Sequence, residues 1–457
     1  MIIARHQLTK LKDGYLLIEQ FQQLFDEKGF QQPTQIQTAV AETLASGKSV
    51  LGIAPTGSGK TLAFAWPLLP KVEPGAGVQI LILEPSQELA IQTTAVLREW
   101  ANLIGVKVRS LTGGANLRRQ VAMLKKQHPD VVVGTPGRVL HMLDNRDLKL
   151  DRLKTLVIDE ADDLLRDDTQ AVVEDIERAT PLNAQLAFFS ATSSAAFDQL
   201  SVMFGRDIIT YDVRETDQSR GPVRHGLVYA RTMSQKTAML NRLSHTKDFR
   251  ALVFFDSIKT LHYAASRLKH EHVASATLGG KQRQTERETA LRQFRKRQLK
   301  LLLTTDVAAR GLDIPKLPAV INFELPTTVD QYVHRTGRTG RQGEPGLVIN
   351  LGSDHDFRDL KKLLADTDYQ FTELTVGEKT VTDEKPADGA AKMPVRKEAS
   401  RAIQKEQRES KREVKKSIHN TLDGFSMPAK RKNRKKNRKN KGIRLKHRRM
   451  AEKQSDQ

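Results

Sequence analysis

The chain has 457 residues, no cysteine and a formal net charge of +21. That length predicts two or three domains, and the missing thiol excludes disulfides, Cys-ligated zinc and thiol catalysis. No apolar run approaches the roughly 18 residues of a membrane span and the N-terminal stretch lacks a signal-peptide core, so a cytoplasmic protein with no membrane partner is expected.

Taken in order, short apolar runs rich in β-formers alternate with helical patterns. The first set is Val50–Ile53, Val78–Leu83, Val106–Leu111, Val131–Val133, Thr155–Ile158 and Leu186–Phe189. Most are continuous rather than alternating, as for strands buried on both faces. Strand and helix signals in alternation predict a parallel sheet with right-handed crossovers. The polar stretch DVRETDQSRGP, Asp212–Pro222, has little to bury and reads as a linker. A second set comes next: Leu227–Tyr229, Ala251–Phe255, Ala274–Leu278, Leu299–Leu303, Ala319–Phe323 and Leu347–Leu351. After about Gly377 the apolar periodicity fades. The expected organisation is α/β: one parallel-sheet domain over 1–211, the linker over 212–222, a second domain over 223–376, and a tail over 377–457, disordered or helical.

The tail is the basic part of the chain. Residues 401–457 hold 21 Lys/Arg against 6 Asp/Glu, a net of +15. Such asymmetry points to a polyanion partner.

Two motifs carry nucleotide chemistry. After the first strand comes APTGSGKT, Ala54–Thr61, which fits the phosphate-loop pattern with alanine at its first glycine position. Gly57 and Gly59 let backbone N–H groups turn toward phosphates, and the following helix N-terminus adds positive charge. Lys60 would reach the β- and γ-phosphates, and Thr61 would offer its hydroxyl to Mg²⁺. The bland alternative is a Gly-rich strand-to-helix turn. The second motif is VIDEAD, whose Asp159 and Glu160 end a predicted strand, where a parallel sheet binds ligands. Asp159 would hold Mg²⁺ through water, and Glu160 would orient or deprotonate the attacking water. Asp163, Asp167 and Asp168 are better explained as acids at a helix start.

DEAD (Asp159–Asp162), APTGSGKT and SAT (Ser190–Thr192) together resemble the motifs of the DEAD-box RNA helicases. The resemblance runs from about residue 20 to 360. GFQQPTQIQ, Gly29–Gln37, is similar to the family's adenine-sensing Q motif, with Gln37 as reader. TGG (Thr112–Gly114) and TPGR (Thr135–Arg138) resemble its RNA-backbone motifs. TTDVAARGLD (Thr304–Asp313) and YVHRTGRTGR (Tyr332–Arg341) match in the second domain.

The resemblance implies two RecA-like domains that bind ATP, Mg²⁺ and RNA across a cleft. It implies an ATP site of Gln37, Ala54, Thr56, Gly57, Ser58, Gly59, Lys60, Thr61 and Asp313, the last on the ribose. Arg338 and Arg341 would serve as arginine fingers beside Lys60 and Glu160. Ser190 and Thr192 would bond Asp162 and, with His334, couple hydrolysis to closure. RNA phosphates would be gripped by Pro85, Ser86, Gly114, Thr135, Gly137 and Arg138, and in the second domain by Gln284, Thr304, Thr305 and either Arg283 or Arg287. Such contacts read no bases.

The chain also departs from the family pattern. The aromatic residue that the family places upstream of the Q motif has no clear counterpart near Lys12 and Tyr15. Gln87 stands where PTRELA has arginine, and Asp256 stands where asparagine is common. The function implied is an RNA-stimulated ATPase, acting as a monomer, that unwinds or remodels structured RNA. With a basic tail of this size the resemblance implies ribosomal RNA and pre-ribosomal particles. An ATP-gated RNA clamp is the alternative.

Overall fold

The computed structural model describes residues 8–10, 16–217, 221–279, 282, 284–309, 314, 316–341, 343–377 and 381–382. Two seven-stranded sheets dominate, and within each every neighbouring pair is parallel. The first contains β1 (Ser49–Ile53), β2 (Ile80–Leu83), β3 (Val108–Leu111), β4 (Val131–Gly134), β5 (Thr155–Ile158), β6 (Gln185–Ser190) and β7 (Ile208–Asp212). The second contains β8 (Val223–Tyr229), β9 (Ala251–Phe255), β10 (Ser275–Leu278), β11 (Leu301–Thr305), β12 (Ala319–Asn322), β13 (Gly346–Gly352) and β14 (Phe371–Glu373). Their spatial orders are β3-β4-β2-β5-β6-β1-β7 and β10-β11-β9-β12-β13-β8-β14. Both lobes therefore share one RecA-like topology.

The continuous apolar runs are central strands covered by helices on both faces. Every residue of β1, β2, β4, β5 and β6 is buried. Side chains alternate across the sheet. Ile80 and Ile82 join a core with Phe64, Trp66 and Trp100, while Leu81 and Leu83 join the opposite core with Met142 and Phe188. The second lobe repeats the pattern, with Val253 and Phe255 on one side and Leu252 and Phe254 on the other. Each such side chain contributes about 1.5–3 kcal/mol on burial.

Within the two large sheets, two strands fall outside the apolar runs read from the sequence: β7 and β14, each at a sheet edge. Both are mostly half-buried or exposed, so neither needs an apolar run. No helix among the described residues is long and apolar enough to cross a membrane. The described residues lie in one compact unit, and the loops that carry the motifs gather where the strands end.

Candidate functional site

β1 delivers Ala54 into the loop that opens helix Lys60–Leu68. Gly57 and Gly59 both have φ of 88°, a left-handed conformation that costs glycine little. Gly59 caps the helix, leaving its first N–H groups and positive end for an anion. Lys60 is buried, and its Nζ donates to the Ala54 carbonyl at 3.1 Å and lies 4.0 Å from Glu160 Oε2. Ser58 is fully buried, and its Oγ has no hydrogen-bond partner among the described residues. An orphaned hydroxyl inside a loop of N–H donors suits a phosphate oxygen.

Gln37 links helix Gln35–Ala45 to this loop. Its Oε1 accepts from Thr34 N at 2.9 Å, and its Nε2 donates to the Gly59 carbonyl at 3.2 Å. A Cβ on Gly59 would strike that amide. Beside it lies an open pocket lined by Gln32, Pro33, Gln35, Thr38, Ala39 and Val213, none of them aromatic. Residues 11–15, where an upstream aromatic was sought, lie outside the described residues.

β5 ends in the carboxylates. Asp159 is buried; burial first, and the Glu160 charge second, push its carboxyl up to about 7. Asp159 Oδ1 accepts from Glu160 N at 3.0 Å. Glu160 itself has φ of 48°, strained for a residue with a side chain, and this turn holds its carboxylate near Lys60. Thr61 and Asp159 offer the hard oxygen donors that Mg²⁺ prefers, so the residues present fit that ion.

The second lobe closes on this surface. Thr56 Oγ1 donates to the Gly337 carbonyl at 3.1 Å, so the Thr56 side chain links the phosphate loop to the other lobe. Arg341 Nε donates to Gly337 O at 2.8 Å, and its stem passes so close to Gly57 that an added Cβ would sit 3.2 Å from Arg341 Cγ. Arg338 Nε donates to His334 O at 3.2 Å. A cavity of about 290 Å³ separates the lobes here, lined among others by Glu160, Asp163, Arg166, Asp330, His334 and Arg338. Glu160, Asp162 and His334 place ligand atoms within 4.8 Å of one another, but Asp162 Oδ2 is already taken. It accepts from Thr192 Oγ1 and sits 3.0 Å from His334 Nε2. Burial opposes charge on His334, yet the hydrogen bond and charge of Asp162 outweigh it and raise the imidazole. Burial also opposes charge on Asp162, and His334 followed by Thr192 holds that carboxyl well below its usual range.

Ser190 departs from the expectation: its Oγ donates to Thr192 O at 2.6 Å and accepts from Thr192 N at 3.2 Å, so it steadies Thr192 and does not itself bond Asp162. Arg335 is a buried anchor at the start of the loop that carries Arg338 and Arg341. It bonds Asp306 at 2.7 and 2.6 Å, Asp256 at 2.7 Å and Glu324 O at 2.7 Å. The carboxylate at position 256 thus serves as a second counter-charge for Arg335.

The RNA-backbone candidates of the first lobe cluster. Gly113 N donates to Thr135 Oγ1 at 3.4 Å, and Arg138 Nη1 donates to Gln120 Oε1 at 2.7 Å and Ala115 O at 3.3 Å. Gly114 has φ of 69°, and the space beyond Gly137 is open. The Gln87 amide lies against the Gly113–Gly114 turn. Ser86, next to Pro85, spends its hydroxyl capping helix Gln87–Asn102 by accepting from Leu89 N at 3.1 Å. Arg138 braces the turn rather than projecting from it.

The second lobe changes two expectations. Thr304 is fully buried, with Oγ1 on Thr305 O at 3.2 Å. Strand alternation turns it inward and Thr305 outward. Arg287 pairs with Glu88 of the first lobe at 2.6 Å and with Ala308 O at 3.3 Å, so it ties the lobes together. Asp313, Arg283 and the Gln284 side chain lie outside the described residues.

Sequence reading missed the cross-lobe pairs Glu88–Arg287 and Arg166–Asp330, the latter at 2.6 Å, because ion pairs between distant residues leave no local pattern. It also missed Glu84, though a lone acid closing the run ILILE was a visible signal.

The fold and motifs have known counterparts. The family model described as DEAD/DEAH box helicase matches residues 34–200, and that described as helicase conserved C-terminal domain matches residues 235–343. The chain is 36% identical over 377 residues to the DEAD-box ATP-dependent RNA helicase CshC of Bacillus cereus, covering 82% of this chain and 95% of that one. It is 37% identical to the probable ATP-dependent RNA helicase YfmL of Bacillus subtilis, covering 75% and 90%. Among solved structures, S. cerevisiae Dbp5 bound to RNA and ADP BeF3 superposes with a TM-score of 0.72 at 28% identity, covering 80% of this chain and 95% of that one. With two family models matched in the order of the two lobes, and relatives aligned over nearly their whole length, the chain belongs to the DEAD-box ATP-dependent RNA helicases.

Proposed function

We propose that the chain is an ATP- and Mg²⁺-dependent remodeller of structured RNA that works as a monomer in the cytoplasm, on ribosomal RNA within pre-ribosomal particles. The observation that carries the reading is the chain Thr192–Asp162–His334, which links the carboxylate end of the phosphate-loop lobe to the finger loop of the other lobe. Through it, closure of the lobes and the setting of the hydrolytic groups are one event.

Lys60, the loop N–H groups and Ser58 would bind the β- and γ-phosphates. Thr61 and Asp159 would hold Mg²⁺, which when bound neutralises phosphate charge. Glu160 would accept a proton from the attacking water. Arg338 and Arg341 would stabilise charge on the transferring phosphoryl, worth about 10³–10⁵ in rate for such fingers. Pro85, Ser86, the Gly113–Gly114 turn and Gly137 would grip RNA phosphates through backbone. Two carboxyl-side expectations, Asp313 on the ribose and Gln284 on RNA, belong to the same reading. The basic tail supports a large structured RNA as target, because sequence-independent phosphate contacts supply tethering affinity.

RNA-stimulated phosphate release is the test. Glu160→Gln should lower turnover by about 10²–10⁴-fold, the usual worth of a positioned proton acceptor, with nucleotide still bound. Unchanged turnover would overturn the assignment. A short separable duplex decides the activity: strand release supports remodelling, whereas long-lived complexes without release identify a clamp.

A further inference from the structure

Glu84 closes β2 at the centre of the first sheet. β2 pairs with β5 in the register Leu83↔Ile158, and Asp159 N donates to Leu83 O at 3.1 Å. Glu84 and Asp159 therefore stand side by side at the ends of adjacent strands. Alternation fixes their side of the sheet: Ile82 and Val157 belong to the core that contains Ala63 and Phe64, and Leu83 and Ile158 to the opposite one. Glu84 and Asp159 project toward the first, on the side where helix Lys60–Leu68 begins with Lys60 and Thr61.

Glu84 is fully buried. Thr93 Oγ1 donates to Oε1 at 2.6 Å, while Oε2 has no partner among the described residues. Burial first and the neighbouring Asp159 charge second push its carboxyl well above the usual range, and Glu160 and Lys60 also lie within its field. The four strand residues before it are all apolar, so Glu84 is the first charge along this run. An unmatched buried polar oxygen is destabilising. A ligand that supplies the missing donor would offset that cost.

We infer that Glu84 is a positioning residue for the nucleotide's Mg²⁺: Oε2 accepts a hydrogen bond from a water in the shell of the ion that Thr61 and Asp159 hold. Mg²⁺ keeps several of its waters and takes few protein ligands, so groups that orient those waters set its affinity. Thr93 fixes the orientation by occupying the other oxygen. The inference rests on the phosphate-loop reading.

The experiment titrates Mg²⁺ into the full chain with a fluorescent ATP analogue, alongside a metal-free titration in chelator. For Glu84→Gln, the Mg²⁺ half-saturation point should rise about 10–100-fold, as for other outer-shell groups. Metal-free nucleotide affinity and the thermal midpoint should hold or improve. Thr93→Val, which keeps the carboxyl and removes only its orienting bond, should shift the same way by less, and it carries the test if Glu84→Gln fails to fold. A folded Glu84→Gln protein whose Mg²⁺ midpoint stays within about threefold of wild type overturns the role. So does an equal loss of affinity with and without metal, the mark of a purely structural acid. If wild type binds no nucleotide, the phosphate-loop reading fails along with it.

Discussion

At the scale of single residues, the site works by matching buried charges. Asp162 and His334 meet across the cleft at 3.0 Å, with Asp162 held low and His334 raised. A raised histidine contributes fully below its ordinary value and loses that contribution as pH rises through the raised one. A depressed aspartate contributes above its ordinary value and loses it as pH falls through the depressed one. The pair should therefore stabilise closure most between about pH 4 and 6.5 and fade above that. His334→Gln should lower the thermal midpoint in that window, with the gap from wild type narrowing toward alkaline pH. A gap that stays constant with pH would show that the imidazole works by packing alone. Thr304 teaches a related lesson about legibility. Residue type suggested phosphate contacts at both Thr304 and Thr305, but a strand sends alternate side chains inward, and only Thr305 faces outward.

At the scale of elements, the central strands were legible because burial on both faces demands continuous apolar runs. Val131–Gly134 and Ala251–Phe255 could hardly be read otherwise. β7 and β14 were not legible, since neither edge strand fully buries a side chain, whereas the opposite edges β3 and β10 each bury at least one residue. The phosphate loop and the DEAD turn were legible because their chemistry needs fixed residue types at fixed spacing. The contacts between lobes were not, because Glu88 and Arg287 are distant in sequence and either could be a solvated surface charge. Their 2.6 Å pair leaves the side chains only 29% and 16% exposed, which limits solvent screening. A double-mutant cycle of Glu88→Ala and Arg287→Ala, read as RNA affinity with a non-hydrolysable ATP analogue, should show coupling of about 1 kcal/mol. Strictly additive effects would mean that the two helices do not hold the lobes together.

At the scale of the whole molecule, charge and chemistry are divided along the chain. Most of the net charge lies in 401–457, whereas the cleft relies on small residues and on arginines already engaged with carboxylates and carbonyls. Truncation after Gly377 should keep basal ATPase and lower RNA affinity. It should also flatten the salt dependence, by about 0.7 in the log–log slope for each single-strand phosphate that the tail neutralises. Equal affinity and slope with and without the tail would assign all RNA binding to the two lobes.

The matching strand order of the two lobes makes β8 the counterpart of β1, yet the turns after these two strands differ. β1 leads into the glycine-bearing loop, whereas β8 leads into Ala230, Arg231 and Thr232, with Thr232 capping helix Met233–Ser244 through Gln235 N at 3.2 Å. That turn has no glycine and spends its hydroxyl on its own helix. Two copies of one scaffold thus build a single engine, the second acting as cylinder head to the first. Equilibrium dialysis should count one nucleotide per chain, and a stoichiometry of two would mean that the second copy has kept a combustion chamber of its own.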